Sequence, residues 1–188
     1  MSVRIVEESV LSLPEYGNVS IAFEVMSRFR VEGSRFGIQL IEEPVEPPYW
    51  KDYDTEDGER PTRWARRWDI RHWGFLAAFD GETRVGGAVI AFRTPGVTML
   101  DGREDRAVLW DLRVNPAYRG RGIGRALFNN AMQWSRTQGC RDLKVETQNI
   151  NVNACRFYAR QGCVLAAVNP WAYPDLPEEV QLIWYSSL

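Results

Sequence analysis

Histidine and cysteine are scarce in this 188-residue sequence. His72 is the single histidine, and Cys140, Cys155 and Cys163 contain no Cys-x-x-Cys pair. A metal site needs a cluster of such ligands at suitable spacing, so no metal cofactor is expected. An odd number of cysteines without a pairing pattern favours reduced thiols, as in a cytosolic protein.

Long apolar runs are also missing. The first residues, Met1-Ser2-Val3-Arg4, lead into mixed polar sequence. Neither a signal peptide nor a membrane span is therefore predicted. We expect a soluble, cytoplasmic protein that has no membrane partner.

The sequence lacks a large excess of charge of either sign. Its formal net charge of −2 argues against a protein that neutralises many phosphates of a nucleic acid. Arginines do cluster between Arg60 and Arg71, but Trp64 and Trp68 lie four apart there, as in an amphipathic helical turn. This spacing favours a core stripe beneath a charged face, and no nucleic-acid partner is expected.

The composition is that of a globular protein, with 45% hydrophobic and 26% charged residues. Its length favours a single domain covering residues 1–188. Alternating apolar and polar residues, bounded by turn residues, predict strands at 21–31, 37–45, 74–80, 84–93, 108–114, 143–147, 163–168 and 180–185. Apolar residues at helical spacing predict helices at 125–138 and 153–161. A proline-rich loop is predicted at 46–61. The expected fold is a mixed α/β domain, with a sheet of about seven strands flanked by helices.

A glycine turn joins the predicted strand 108–114 to the following helix. It reads Arg119-Gly120-Arg121-Gly122-Ile123-Gly124, and Arg125 follows it. Glycines keep side chains away from one face of such a turn, so backbone N–H groups can converge on an anion at the positive end of the helix. The turn therefore fits a pyrophosphate, although an ordinary glycine turn with solvated arginines stays open as the alternative.

Two common phosphate loops do not fit this turn. No Gly-Lys-Ser/Thr ends it, so the P-loop lysine and magnesium-binding hydroxyl are missing. The third glycine of the dinucleotide-binding pattern is misplaced, and no acidic residue follows at the required spacing.

The turn resembles the coenzyme A signature Arg/Gln-x-x-Gly-x-Gly/Ala of the GNAT (GCN5-related) N-acetyltransferases. A second family motif, Asn-x-x-Ala-x-x-Phe-Tyr-x-x-x-Gly-Phe, is matched by residues 151–163. The chain departs from that motif at Cys163, where the family usually has phenylalanine. The strong match covers residues 108–168, and the C-terminal half is similar to the streptothricin (nourseothricin) acetyltransferase branch.

The resemblance implies how the chain would bind acetyl-CoA as its co-substrate. Strands 108–114 and 143–147 would splay apart in a mostly antiparallel sheet to admit the thioester. The backbone of Leu112, Arg113 and Val114 would bind the pantetheine arm. The remaining implied contacts are Arg119, Gly120, Arg121, Gly122, Ile123, Gly124 and Arg125 for the pyrophosphate, with Asn151, Ala154, Phe157 and Tyr158 from the second motif.

Direct attack by an amine needs a base and an acid for the departing thiolate. Tyr158 matches the acid of the family, its alternative being a core tyrosine, and Asn151 could equally be only an N-cap. Glu146, twelve residues before Tyr158, is the preferred base, with Asp111 as the second choice. Either carboxylate could instead bind a cationic amine, and a water chain could serve as base. Cys155 has no histidine partner near it in sequence and is interpreted as a packing residue, as is Cys163.

The expected acceptor is a primary amine of a small cationic molecule. The resemblance to the streptothricin branch implies that this molecule could be a streptothricin-like antibiotic. Acids flank the aromatic residues Tyr49, Trp50 and Tyr53, namely Glu42, Glu43, Glu46, Asp52, Asp54, Glu56 and Asp57. They would favour a polycationic acceptor if they line its cleft, whereas a solvated acidic loop is the alternative. A protein lysine or N-terminal acetyltransferase and a non-catalytic acyl-CoA-binding sensor are the rival functions. A homodimer stays open, since residues 171–177 fit either a dimer surface or a pocket lid.

Overall fold

A computed structural model of the protein describes residues 3–34, 37–55 and 60–188. In these residues the strands are β1 Val3–Glu8, β2 Phe23–Ser34, β3 Gly37–Lys51, β4 Gly74–Asp80, β5 Thr83–Phe92, β6 Arg106–Val114, β7 Asp142–Gln148, β8 Val164–Asn169 and β9 Gln181–Ser187. The α-helices are α1 Leu13–Gly17, α2 Pro61–Arg67, α3 Ile123–Thr137 and α4 Val152–Arg160. No helix of these residues is long and apolar enough to cross a membrane.

Seven strands form one sheet in the order β1-β4-β5-β6-β7-β9-β8, and β2 and β3 form a separate antiparallel hairpin. The predicted mixed α/β fold with a mostly antiparallel seven-stranded sheet is confirmed. Its membership differs from the sequence-based assignment, however. The edge strand β1 was not predicted, and the two strands predicted at 21–45 lie outside the sheet. The splay between β6 and β7 stays a prediction.

The chain divides into two compact units. The first comprises Met1–Ile21, Asp52–Lys144 and Ser187–Leu188, and the second comprises Ala22–Lys51 and Val145–Ser186. That residues 1–188 act as a single domain stays a prediction.

The core of the first unit is built from the apolar strands β4 and β5 and the aromatic residues beside them. Trp64 of α2 is buried, and its ring lies 6.3 Å from that of Trp73. The predicted helical turn is present as α2, but it ends at Arg67, so Trp68 follows it in extended backbone. Helix α3 buries Leu127, Phe128 and Ala131, which recur at helical spacing on one face. Apolar burial of this kind is the main favourable term that holds the unit together.

In the second unit, Asn149 ties three segments of chain together. Its amide nitrogen donates to the carbonyl of Phe29 at 2.9 Å, and its amide oxygen accepts from the backbone N–H of Val180 at 2.8 Å. The side chain is buried, so these bonds satisfy polar groups that would otherwise be costly to bury. The start of β9 is thereby fixed to the end of β7 and to β2.

The predicted loop at 46–61 is wrong over its first part, because β3 continues to Lys51. Its prolines, which cannot donate to a strand ladder, led to the loop assignment. The hairpin accommodates them at an irregularity, since the register jumps from Tyr49 opposite Val25 to Pro44 opposite Ser27. Residues 56–59, with the acids Glu56 and Asp57, lie outside the described residues.

Candidate active site

The glycine turn begins directly after β6 in the first unit. The side-chain oxygen of Asn115 accepts from the backbone N–H of Ala117 at 3.0 Å and starts a short 3-10 turn, Pro116–Tyr118. The Nε of Arg119 then donates to the carbonyl of Val114 at 3.0 Å. The turn is thus fastened back onto the end of the strand.

Two glycines let the turn open directly into α3. Gly120 has φ 77° and Gly122 has φ 83°, in the left-handed region that glycine adopts without strain. Gly122 is the N-cap of α3 and brings no side chain to satisfy the first N–H groups of the helix. The helix starts at Ile123, two residues before the predicted start. An anion can therefore bind at its positive end.

Three arginines lie beside this helix start in the sequence, two before Ile123 and one in the first turn of α3. Arg119, Arg121 and Arg125 are exposed, and the Arg121 guanidinium lies 5.0 Å from the ring centre of Tyr118. Although Arg119 is exposed as a whole residue, partial desolvation of its guanidinium, which donates to Val114, lowers its pKa from its ordinary value. An arginine keeps its charge across the physiological range. The seven predicted pyrophosphate residues thus comprise the turn at 119–122 and the first three residues of α3, and their contact with coenzyme A stays a prediction.

The strand before the turn contains an irregularity at Trp110. Leu109 lies opposite Ile90 and Asp111 opposite Val89, so Trp110 is an extra residue in β6. A bulge of this kind changes the direction of the side chains that follow it. Residues 112–114, the predicted pantetheine contacts, then pair regularly with β5, and their role in binding stays a prediction.

Asp111, the second choice for the base, belongs to a buried ionic network in the first unit. Arg113, whose side chain is 1% exposed, donates from Nε and Nη2 to its two carboxylate oxygens at 2.9 and 2.6 Å. The hydroxyl of Tyr16 donates to the same carboxylate. Arg113 also donates from Nη1 to Asp54 at 2.8 Å and to the carbonyl of Val19 at 3.1 Å.

This network perturbs the titration of its members. Burial and the neighbouring Asp111 carboxylate raise the pKa of Tyr16 well above its ordinary value. Burial alone would lower the pKa of Arg113, but the charge and hydrogen bonds of Asp111 outweigh it and raise that pKa. Both oxygens of Asp111 accept from Arg113, and Oδ1 also accepts from Tyr16, so few lone pairs of this carboxylate are left for a substrate.

Glu146, the preferred base, is held by neutral donors in the second unit. Its Oε1 accepts from the hydroxyl of Tyr173 at 2.5 Å and its Oε2 accepts from Nε2 of Gln181 at 2.8 Å. The amide of Gln148 donates to the Tyr173 oxygen at 3.0 Å. Sequence reasoning did not single out Tyr173, Gln148 or Gln181, because they reach Glu146 through the tertiary fold and carry no local motif.

Helix α4 carries the second motif. Its N-cap is Asn151, whose side-chain oxygen accepts from the backbone N–H of Ala154 at 3.1 Å, so the capping interpretation is confirmed. Tyr158 is buried, and its ring lies 5.0 Å from that of Phe157 in an edge-to-face arrangement. Its role as an acid, and the binding of coenzyme A by these residues, stay predictions.

The cysteines are buried, free thiols. Burial raises the pKa of Cys155 and of Cys163 to about 11, so both are protonated at neutral pH. The Sγ of Cys155 also lies 3.3 Å from Oγ1 of Thr147. A protonated thiol is a poor nucleophile, which agrees with their interpretation as packing residues.

Among the described residues, three of the acids expected around the acceptor are paired with arginines. In the second unit, Glu42 pairs with Arg156 and Glu43 pairs with Arg30. In the first unit, Asp54 belongs to the Arg113 network. The arginines offset the negative charge of these carboxylates, so residues 42–57 offer less net negative charge to a cationic acceptor than the sequence indicated. Within the described ranges no group of His, Cys, Asp and Glu side chains could hold a metal ion.

Known proteins resemble the chain over most of its length. It is 26% identical to the streptothricin acetyltransferase of Escherichia coli over 98% of this chain and 95% of that protein. A shorter match, 36% identical, to streptothricin acetyltransferase A of Bacillus subtilis (strain 168) covers 42% of this chain and 47% of that protein. Among solved structures, a candidate streptothricin acetyltransferase of Bacillus anthracis str. Ames, in complex with acetyl coenzyme A, matches with a TM-score of 0.79 and 24% identity, covering the whole of both chains.

The predicted similarity to streptothricin acetyltransferases is thereby confirmed. The profile of the acetyltransferase (GNAT) family matches residues 38–163 of the 188, which is more than half of the chain. The chain therefore belongs to the GNAT family and is an acetyl-CoA-dependent N-acetyltransferase.

Proposed function

We propose that the enzyme transfers the acetyl group of acetyl-CoA to a primary amine of a streptothricin-like antibiotic. The uncapped start of α3, opened by Gly122 and flanked in sequence by three arginines, carries the cofactor half of this proposal. The acceptor half is supported by the names of the relatives, one of which matches 98% of the chain. A cytoplasmic location and a homodimer stay predictions.

In the proposed reaction the amine nitrogen attacks the thioester carbonyl carbon directly. Glu146 accepts the proton that the amine loses. The carbon–sulphur bond then breaks, and the Tyr158 hydroxyl gives its proton to the departing thiolate. No covalent enzyme intermediate is needed, which agrees with the raised thiol pKa of Cys155.

The hydrogen bonds of Glu146 favour it over Asp111 as the base. Tyr173 and Gln181 are neutral donors, one to each oxygen, and each carboxylate oxygen has a further lone pair. Asp111, in contrast, is neutralised by an arginine that is almost fully buried. Both oxygens of Asp111 are occupied by Arg113, and Oδ1 also accepts from Tyr16, so fewer lone pairs are left for a substrate amine.

Exposed aromatic residues on β3 are suited to the acceptor. The side chains of Tyr49 and Trp50 are 42% and 69% exposed in the second unit. Aromatic faces attract cations, and Glu46 supplies a carboxylate on the same strand. We propose that these residues contribute to the recognition of a polycationic amine.

The test is thiol release from acetyl-CoA with a panel of amines. Streptothricin, polyamines, aminoglycosides and lysine peptides are compared at equal concentration, and acetyl-CoA binding is measured separately by calorimetry. We expect turnover with streptothricin. Turnover with lysine peptides alone would assign a protein acetyltransferase, whereas acetyl-CoA binding without turnover on the whole panel would assign an acyl-CoA sensor.

A further inference from the structure

Tyr173 lies in the segment between β8 and β9, in the second unit. The backbone N–H of Leu176 donates to the carbonyl of Tyr173 at 3.0 Å, which forms a turn. Further along, Lys51 pairs with Glu179 at 2.8 Å, with side chains only 12% and 8% exposed. The segment that carries Tyr173 to Glu146 is therefore anchored on the C-terminal side of its turn.

The hydrogen bonds at Tyr173 have a defined direction. A phenol oxygen has one proton to donate. Since the amide of Gln148 donates to this oxygen, the proton of Tyr173 is directed to Oε1 of Glu146. Gln181 donates to the other oxygen of the same carboxylate. The carboxylate plane is thus set by two donors that come from different segments.

We propose that Tyr173 is a positioning residue for acetyl transfer, which fixes the Glu146 carboxylate in the orientation that receives the amine proton. This inference rests on the proposed function, in which Glu146 is the base. Tyr173 acts through Glu146 and does not itself exchange a proton with the substrate. Removal of its hydroxyl leaves Gln181 in place, so the loss of activity is partial.

A double-substitution cycle tests this role. The variants are Tyr173→Phe, Glu146→Gln and the two combined, with Tyr185→Phe on β9 as a matched loss of a tyrosine hydroxyl from the same unit. The kcat and the KM for acetyl-CoA and for the best amine are measured, together with acetyl-CoA binding by calorimetry. Binding reports that each variant is folded.

We expect Tyr173→Phe to lower kcat about tenfold, which corresponds to one hydrogen bond to a charged group. The KM for acetyl-CoA stays within about twofold, and Tyr185→Phe has no effect. Glu146→Gln lowers kcat by about 100-fold or more, and adding Tyr173→Phe to it lowers kcat no further. The absence of a second loss is the signature of a residue that acts through Glu146.

The other outcomes overturn the inference in distinguishable ways. If Glu146→Gln impairs kcat but Tyr173→Phe does not, the positioning role is wrong and the proposed function stands. An equal tenfold loss in both backgrounds would show that Tyr173 acts independently of Glu146. Unchanged kcat in Glu146→Gln would remove Glu146 as the base, and with it the positioning role of Tyr173. No turnover of the unsubstituted enzyme with any amine would remove the proposed function as well.

Discussion

Arg113 binds the carboxylate of Asp111 at two points, although the two residues are only two positions apart on β6. The distances are 2.9 Å from Nε to Oδ1 and 2.6 Å from Nη2 to Oδ2. Residues i and i+2 of a strand lie on the same face, which makes this local pairing possible. The same guanidinium continues to Asp54, 59 residues earlier, so one side chain joins β6 to the segment after β3 within the first unit.

We expect Arg113→Leu to destabilise the protein strongly. The substitution leaves Asp111 buried without its cation, and breaking a buried ion pair on one side typically costs about 3 to 5 kcal/mol. Unfolding in urea, followed by tryptophan fluorescence, measures the change in the free energy of unfolding. Arg103→Leu is the control. The Arg103 side chain is 37% exposed, and its ion pair with Asp105 lies at the surface. Similar stability of the two variants would contradict a structural role for the network.

Tyr16 should make the protein less stable at alkaline pH. Its folded pKa is raised above the unfolded value, so its contribution to stability is fully present below the unfolded value and is lost as the pH rises toward the folded one. Above about pH 10 the unfolded chain releases this proton and the folded protein retains it, so stability falls by up to about 1.4 kcal/mol per pH unit.

The comparison that isolates this effect is Tyr16→Phe against the unsubstituted protein, with unfolding measured at several pH values from neutral to about 11. Cys155 and Cys163 contribute in the same direction in both proteins, so they cancel in the difference. We expect a shallower alkaline loss of stability in Tyr16→Phe. Identical slopes would mean that the hydroxyl titrates alike in the folded and unfolded chains.

The parts of the site that the sequence predicted are those with local causes. The glycine turn, the start of α3 within two residues and the N-cap Asn151 all follow from neighbours in the chain. The hydrogen bonds from Tyr16 to Asp111 and from Tyr173 to Glu146 join residues 95 and 27 positions apart. No periodicity or motif encodes such pairs, because they depend on how distant elements pack.

The hairpin shows a second limit of sequence reasoning. Prolines usually end a strand, since they lack the N–H that the ladder needs. In β3, Pro47 and Pro48 fall where the register is irregular, so the strand resumes and reaches Lys51. Pro47 and Pro48 have no partner in the register with β2, so the ladder needs no N–H from them. The sequence of β3 alone does not reveal this register.

Gly122→Ala should weaken the binding of acetyl-CoA. Gly122 has φ 83°, and a residue with a Cβ pays about 1 to 2 kcal/mol in the left-handed region. The backbone of the turn would shift to relieve this strain and misalign the N–H groups at the start of α3. We expect the Kd for acetyl-CoA, measured by calorimetry, to rise about tenfold, equivalent to one lost hydrogen bond.

Gly102→Ala is the matched control for that substitution. Gly102 lies in the same unit with φ 68°, and a Cβ there would also meet open space. Both variants should lose similar stability, but only Gly122→Ala should lose affinity for acetyl-CoA. Equal affinities in the two variants would remove the glycine turn from the cofactor site.

Tyr158→Phe should separate chemistry from cofactor binding. The substitution keeps a buried ring in α4 and removes the hydroxyl that is proposed to protonate the thiolate. Loss of a general acid typically lowers the rate by about 100-fold or more. We expect kcat to fall by that factor while the Kd for acetyl-CoA stays within about twofold, since the hydroxyl acts mainly on the charge that develops in the transition state. Thiol release and calorimetry on the same preparation measure the two quantities. A parallel loss of binding would instead make Tyr158 a cofactor contact, and unchanged turnover would assign the proton transfer to another group.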